Sequence, residues 1–354
     1  MSVAKYKVFS AASALIFGVT FLCGLSIAGA EISSNKTPFA APRLAGLMTD
    51  VRLIEFSGMA PARRKNRFWA INDGGQDPIL WQVDEKGKIR GQLQLQNVEN
   101  IDIEDLASFS MKPPKRKRLH YVAVPDIGDN AALNNDHIIY IVPDVAGRKS
   151  TAPDWTIRFR YPDGAHDAEG LAVDAERGYL YIVIKRVLPP ILYRVPLHPP
   201  SGAASLSGAA SVSGATSGRG AGSEEIQIAE RIATLEGLPV NDQNSPDASN
   251  AVRFGSQPTG AVMGCDGNEL LLLTYASVYR YQKRNSQSWA SALVGQMPQV
   301  LPLPPMFQAE AITLTPDCNT LYVGGEKVPG PLWRFKRTVQ APASKKSSHA
   351  GAAR

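Results

Sequence analysis

"DAEGLAVDAERGYLYIVIK", residues 167–185, opens on two carboxylates, Asp167 and Glu169, and runs through a turn into an almost wholly apolar strand. The same plan recurs along the chain. "EFSGMA" (55–60), "DIEDLA" (102–107), "QPTGAV" (257–262) and "QAEAIT" (308–313) each open a short strand as "DAEGLA" (167–172) does. A second apolar strand follows in every case: "RFWAIND", "HYVAVPD", "YLYIVIK", "LLLLTYA" and "LYVGGEK". A third comes after it, as "ILWQVD", "IIYIVPD", "ILYRVPL", "SVYRYQK" and "PLWRFKR", and some units add a fourth, such as "TIRFRY" and "IQIAERIATL". Strand–turn–strand units of roughly 50 residues, without helical periodicity, read as propeller blades. The expected fold is all-β: a β-propeller of five to six four-stranded blades, closed by an N-terminal strand near 51–55.

The interval between the third and fourth openings is the longest, and part of it is "PPSGAASLSGAASVSGATSGRGAGSEE", residues 199–225. So small-residue a segment has too little apolar surface to fold, and it reads as a flexible loop on the outer edge. Residues 236–256 are rich in Asn, Asp and Ser and have room for a degenerate blade, which favours six over five. The propeller is expected over 45–337, with a basic, disordered tail over 338–354.

The N-terminus reads as a segment outside the fold. Lys5 and Lys7 precede an apolar run from Val8 to about Ile27, and Ala28-Gly29-Ala30 fits the small-x-small cleavage rule. This is the pattern of a cleaved secretory signal over 1–30, the alternative being a retained anchor. Export makes disulfides possible, and the mature chain keeps two cysteines, Cys265 and Cys318, at matching places in consecutive repeats. They are expected to form a bridge, the alternative being two buried thiols in turns. No second apolar segment approaches spanning length, so the mature chain is expected to leave the membrane and act as a monomer.

The net charge of +6 belongs to the ends: without Lys5, Lys7 and the five cations from Lys336 onward, the body carries −1. That balance argues against a nucleic-acid partner. Lys115-Arg116-Lys117-Arg118 reads as a solvated hairpin tip.

In a propeller the innermost strand of each blade lines the central channel, so aligned positions fall on a ring. The ring holds Ser57, Glu104, Glu169, Thr259 and Glu310, and two residues upstream lie Glu55, Asp102, Asp167, Gln257 and Gln308. The ends of the second strands add Asp73, Asp126, Lys185 and Glu326. Like charges gathered at one mouth stay ionised only when a cation or basic groups offset them. Oxygen ligands without Cys or clustered His suit Ca²⁺ better than zinc. Glu104, Glu169, Glu310 and Asp126 are the candidate ligands, with Asp129 and Asn130 of "DIGDN" (126–130) beside them. The alternative is that these side chains are solvated or cap loops. His166, next to Asp167, is the histidine nearest the proposed mouth, and either His166 or Asp167 is a candidate base, the alternative for His166 being a surface-loop residue. Lys185 is a candidate for orienting an anionic substrate, or for neutralising its carboxylate neighbours.

"SGMA", "DIEDLA", "DIGDN", "DAEGLAVD", "LYIVIK" and "AEAITLTPD" together resemble a group of exported bacterial six-bladed propellers. That group neighbours the esterase-like phytase and SdiA-regulated families and, more distantly, the SMP-30 lactonases. The resemblance covers roughly residues 50–335. It implies an acidic, Ca²⁺-binding central face and hydrolysis of phosphate esters or lactones. A DAxDDPA-type run, the signature of true β-propeller phytases, is not in the sequence. Two functions are therefore expected to compete. One is a Ca²⁺-dependent hydrolase acting on a small anionic molecule. The other is an exported binding module for a glycan, a cell-envelope component or a protein.

Overall fold

The computed structural model describes residues 38–112, 117–145, 147–198, 226–239 and 255–338. The expected signal over 1–30, half of the expected basic hairpin tip (115 and 116), the expected loop over 199–225 and nearly all of the expected tail lie outside them. Among the described residues no helix is long and apolar enough to cross a membrane.

Strand β1 (Arg43–Met48) comes first and belongs to the last blade. Blade 1 is β2 (Phe56–Pro61), β3 (Arg67–Asn72), β4 (Ile79–Asp84) and β5 (Ile89–Leu95). Blade 2 begins β6 (Ala107–Met111), β7 (Leu119–Asp126) and β8 (His137–Pro143). The chain then adds the two-residue β9 (Ser150–Thr151) to the outer edge of blade 1 before completing blade 2 with β10 (Trp155–Arg160). Blade 3 is β11 (Ala168–Asp174), β12 (Tyr179–Ile184), β13 (Ile191–Pro196) and β15 (Glu230–Thr234), with β14 (Gln227–Ile228) lent to the edge of blade 2. Blade 4 is β16 (Pro258–Met263), β17 (Glu269–Thr274), β18 (Ser277–Gln282) and β19 (Gln299–Pro302), with a one-turn helix α1 (Trp289–Ala292) before β19. Blade 5 is β20 (Ala309–Leu314), β21 (Thr320–Gly325), β22 (Gly330–Lys336) and the returning β1.

The sheets stack face to face, so their middle strands are covered on both sides and need no polar alternation. All six residues of β17, "ELLLLT", are buried for this reason. Each junction between neighbouring blades has its own apolar cluster. Ile71 and Val124 mark the one between blades 1 and 2, and Ile139 and Leu180 the next. Tyr181 and Leu272 join blades 3 and 4, and Leu273 and Ile312 join blades 4 and 5. Phe56, Phe68 and Tyr322 close the circle between blades 5 and 1.

Five junctions fill a ring of five blades, the lower of the two expected counts. The sixth blade favoured by the sequence and implied by the resemblance is not among the described residues, and 240–254, most of its proposed stretch, lies outside them. The closing strand was also expected a few residues too late. Residues 51–53 form a 3₁₀ turn capped by Asp50, whose carboxylate accepts from the Arg52 N–H, and closure is made by Arg43–Met48 against β22. A strand that pairs on one side with the far end of the chain gives no local signal beyond a weak apolar run.

Cys265 and Cys318 are bridged, with Cα atoms 5.9 Å apart. The bond ties the β16–β17 turn to the β20–β21 turn, so it pins blade 4 to blade 5.

Candidate functional site

The ring positions found by alignment share one backbone device. In four blades the ladder between the first two strands skips one residue, and the residue skipped is Ser57, Glu169, Thr259 or Glu310. In blade 2, Ile103 pairs with Asp126 and Ala107 with Ala123, which leaves one extra residue on the side that carries Glu104. Bulges of this kind re-aim a side chain out of the pleat. Here they place all five ring side chains inside the mouth, where every one is buried. Ser57 and Thr259 tie the inner strands together, donating their hydroxyls to the carbonyls of Glu104 (2.5 Å) and Ala309 (2.6 Å).

The carboxylates fall into two adjoining groups. In the first, carboxylate oxygens of Asp73, Asp102 and Glu104 lie within 4.8 Å of one another. Gly128 permits this crowding, because a Cβ there would sit 2.5 Å from an Asp102 oxygen and 2.7 Å from a Glu104 oxygen. Burial pushes all three carboxyls above their ordinary range, and neighbouring carboxylates add to the rise. For Asp102 the combination of burial, Asp73, Asp167 and Asp126 reaches about 6.

The second group centres on Lys185, which is in direct ionic contact with Glu169. Burial works against the ammonium, but Glu169, Tyr275 and Glu310 outweigh it and hold Lys185 charged. The ammonium also lies 5.7 Å from the centre of the Tyr275 ring, blade 4's contribution to the mouth. Burial drives Glu169 up to about 7 against the pull of Lys185. Glu310 is likewise raised, by burial and by Glu169, and accepts from the Gln308 amide at 3.2 Å.

The remaining candidates mostly build loops. Asp126 accepts from the Asp102 N–H (2.8 Å) and the Ile101 N–H (3.4 Å), so it caps the turn that carries Asp102. Asp129 accepts from Asn134 N–H at 2.6 Å, and Asn130 binds Arg186. Asp167 lies 2.6 Å from Arg186 and accepts from the Asp129 N–H at 2.9 Å. Glu55 and Glu326 both meet Lys327, at 3.1 and 2.5 Å. His166 pairs with Asp163 at 3.0 Å and packs against Tyr161 and Tyr193, outside both carboxylate groups.

Sequence reasoning passed over one axial residue. Asp105 is fully buried and accepts from three backbone N–H groups: Leu106 (2.7 Å), Leu171 of blade 3 (2.9 Å) and Ala261 of blade 4 (3.1 Å). The signal was present in the repeats. The position after the ring residue is Gly58, Gly170, Gly260 or Ala311 in the other blades, and Asp only in blade 2. Gly58 needs its missing side chain, since a Cβ would come 2.5 Å from the Asp105 carbonyl carbon. Small residues in four blades leave the axis to one carboxyl.

The raised carboxyls carry a pH consequence. A group whose folded pKa lies above its unfolded value stabilises when protonated, and that contribution disappears as pH rises through the folded value. With Asp102 at about 6 and Glu169 at about 7, cation-free protein should lose stability on the alkaline side. Urea midpoints measured between about pH 4 and pH 7.5 should fall as pH rises, by an amount reduced where water reaches the half-exposed Asp102. A midpoint that climbs across this window contradicts the crowding.

Three cavities lie between surface turns, away from the mouth. A groove of about 700 Å³ is lined by Thr49, Asp50 and Lys88 beside the closing strand, and smaller ones of about 260 and 240 Å³ lie between blades.

No family model matches the sequence, and no curated protein matches it. Among solved structures it is similar to a gluconolactonase from Xanthomonas campestris, with 13% identity and a TM-score of 0.36 over 84% of this chain and 95% of that one. It is similar to a luciferin-regenerating enzyme, with 11% identity and a TM-score of 0.39 over 86% of this chain and 98% of that one. It is also similar to the WD40 domain of Neurospora crassa Pan2, with 10% identity and a TM-score of 0.32 over 80% and 64% of the two chains. The propeller assignment rests on the closed ring of five sheets itself.

Proposed function

We propose that this is an exported, metal-dependent hydrolase of small anionic phosphate esters or lactones, working at the acidic mouth. The observation that carries the reading is the convergence of Asp73, Asp102 and Glu104 within 4.8 Å, beside a buried lysine. Three crowded carboxylates call for a cation, because the single charge of Lys185, paired directly with Glu169, does not balance them all. The donors are oxygens alone, without thiolate or imidazole, which suits Ca²⁺. This shifts the ligand set: Glu104 stays, Asp73 and Asp102 join it, Glu169 and Glu310 sit across Lys185, and Asp126 serves the loop.

What Ca²⁺ supplies at such a site is Lewis-acid polarisation of a phosphoryl or carbonyl oxygen. The chain's own groups do the rest. Lys185, held charged, attracts and orients the substrate anion. Glu169, outside the proposed ligand set and raised to about 7, can both accept and return a proton. His166 and Asp167, the bases expected from sequence, are engaged with Asp163 and Arg186. The disulfide fits the oxidising compartment to which the signal would direct the chain.

The test is a panel of phosphomonoesters and lactones offered to purified protein with Ca²⁺ and with chelator. Turnover should need the ion and fall by about 100-fold or more in Glu104→Gln. Turnover indifferent to chelator would contradict the reading. One observation favours a second: the ring carboxylates Glu104, Glu169 and Glu310 are buried, which leaves little of them to meet a substrate. In that reading the ion is structural and the loops bind a glycan or an envelope protein.

A further inference from the structure

The mouth uses one end of the strands. At the opposite end, between blades 4 and 5, a cavity of about 260 Å³ is walled by the Cys265–Cys318 bridge and has the reverse electrostatics. Three cations line it, Arg280, Lys283 and Arg337, and each is at least nine-tenths buried as a side chain or residue. They face two carboxylates. Asp266 is turned into its own loop, accepting from the Asn268 N–H at 3.0 Å. Glu269 is left to serve both guanidiniums, meeting Arg280 through one oxygen and Arg337 through both, at 3.1 and 2.5 Å.

One buried carboxylate does not balance three buried cations. The adjoining Arg177 brings no relief, since its charge is matched by Asp174 at 2.8 Å. Burial and Arg177 push the Lys283 ammonium below the ordinary lysine range, and the opposing pull of Asp174 and Asp266 does not make up the difference. The hydrogen-bond acceptor of Lys283 among the described residues is the neutral Asn268 side-chain oxygen, at 2.8 Å, and the Trp289 ring centre lies 5.7 Å away. The ammonium has three protons to give. Arg280 gives Nε to Glu269 and Nη1 to Gln299, which leaves the Nη2 protons without a hydrogen-bond acceptor among the described residues. Buried charge of one sign is costly unless a counter-charge enters with it.

We propose that this cavity is a binding site for a small oxyanion, a carboxylate, phosphate or sulfate group on a compact body, with Lys283 and Arg280 as its donors. The planar guanidinium fork and the ammonium suit such a group, and the volume exceeds that of a bare ion. The disulfide holds the two turns that form the rim, so the site is set before the anion arrives. It is separate from the mouth and does not depend on a reaction there.

The experiment is a thermal-shift and calorimetric titration of the whole protein with inorganic phosphate, sulfate and acetate, at constant ionic strength against chloride. At least one oxyanion should raise the melting temperature saturably, because binding only to the folded state stabilises by mass action. Lys283→Met, which keeps the aliphatic stem, should weaken that affinity at least tenfold, and Asp73→Asn at the mouth should leave it unchanged. Should Lys283→Met fail to fold, Lys283→Gln carries the same expectation. No saturable binding of any of the three anions overturns the proposal. So does binding that survives the loss of Lys283 or that disappears in Asp73→Asn, since both place the anion elsewhere.

Discussion

Replacing Asp105 by Ala should remove a large share of the folded state's stability. The substitution strips acceptors from the N–H groups of Leu106, Leu171 and Ala261, which belong to blades 2, 3 and 4. Each buried donor left without a partner costs about 1–3 kcal/mol. Three of them, with a carboxyl-sized hole on the axis, sum to a loss of at least about 4 kcal/mol, a large share of a typical domain's stability. Asp105→Asn keeps one carbonyl oxygen and should lose distinctly less. Urea unfolding of the two variants beside the parent checks this. A loss under about 1 kcal/mol in Asp105→Ala would mean that water or a backbone shift satisfies the three donors.

Lys185→Met should be nearly as damaging, for an electrostatic reason. It removes the partner of a buried Glu169 and leaves that carboxylate facing Glu104 and Glu310. Breaking one side of a buried ion pair typically costs about 3–5 kcal/mol. The deficit should shrink in acid, where Glu169 takes up a proton, and a second change, Glu169→Gln, should recover part of it at neutral pH. That rescue separates a charge effect from lost packing of the lysine stem. Equal deficits at pH 5 and pH 8, with no rescue, would assign the loss to packing.

The repeats made most of the fold legible. Five openings, five apolar second strands and paired cysteines in matching turns all correspond to elements of the ring. The shared register was legible too: Ser57, Glu104, Glu169, Thr259 and Glu310 hold one position, and the ladder carries an extra residue at each. Which of them meet was not legible. Distances across an axis depend on how the blades are arranged around it, and on which side chain takes which partner. Lys185 claims Glu169, Gly128 lets its loop down onto Asp102 and Glu104, and Asp126 turns back to cap that loop. None of these choices is written in a local pattern. Asp105 differs, since its exception to a column of small residues stood in the sequence.

Asp73, Asp102 and Glu104 are proposed to hold one divalent cation. Calorimetric titration of Ca²⁺ into chelator-treated protein tests it most directly, with Glu104→Gln, Asp73→Asn and Glu169→Gln run alongside. The parent should give a saturable single-site heat. Glu104→Gln and Asp73→Asn should each weaken binding by about tenfold or more, as expected when a charged oxygen ligand is lost. Glu169→Gln, already paired with Lys185 in the parent, should change it less. A parent that takes up no Ca²⁺, or a site that loses affinity only with Glu169, would contradict the assignment.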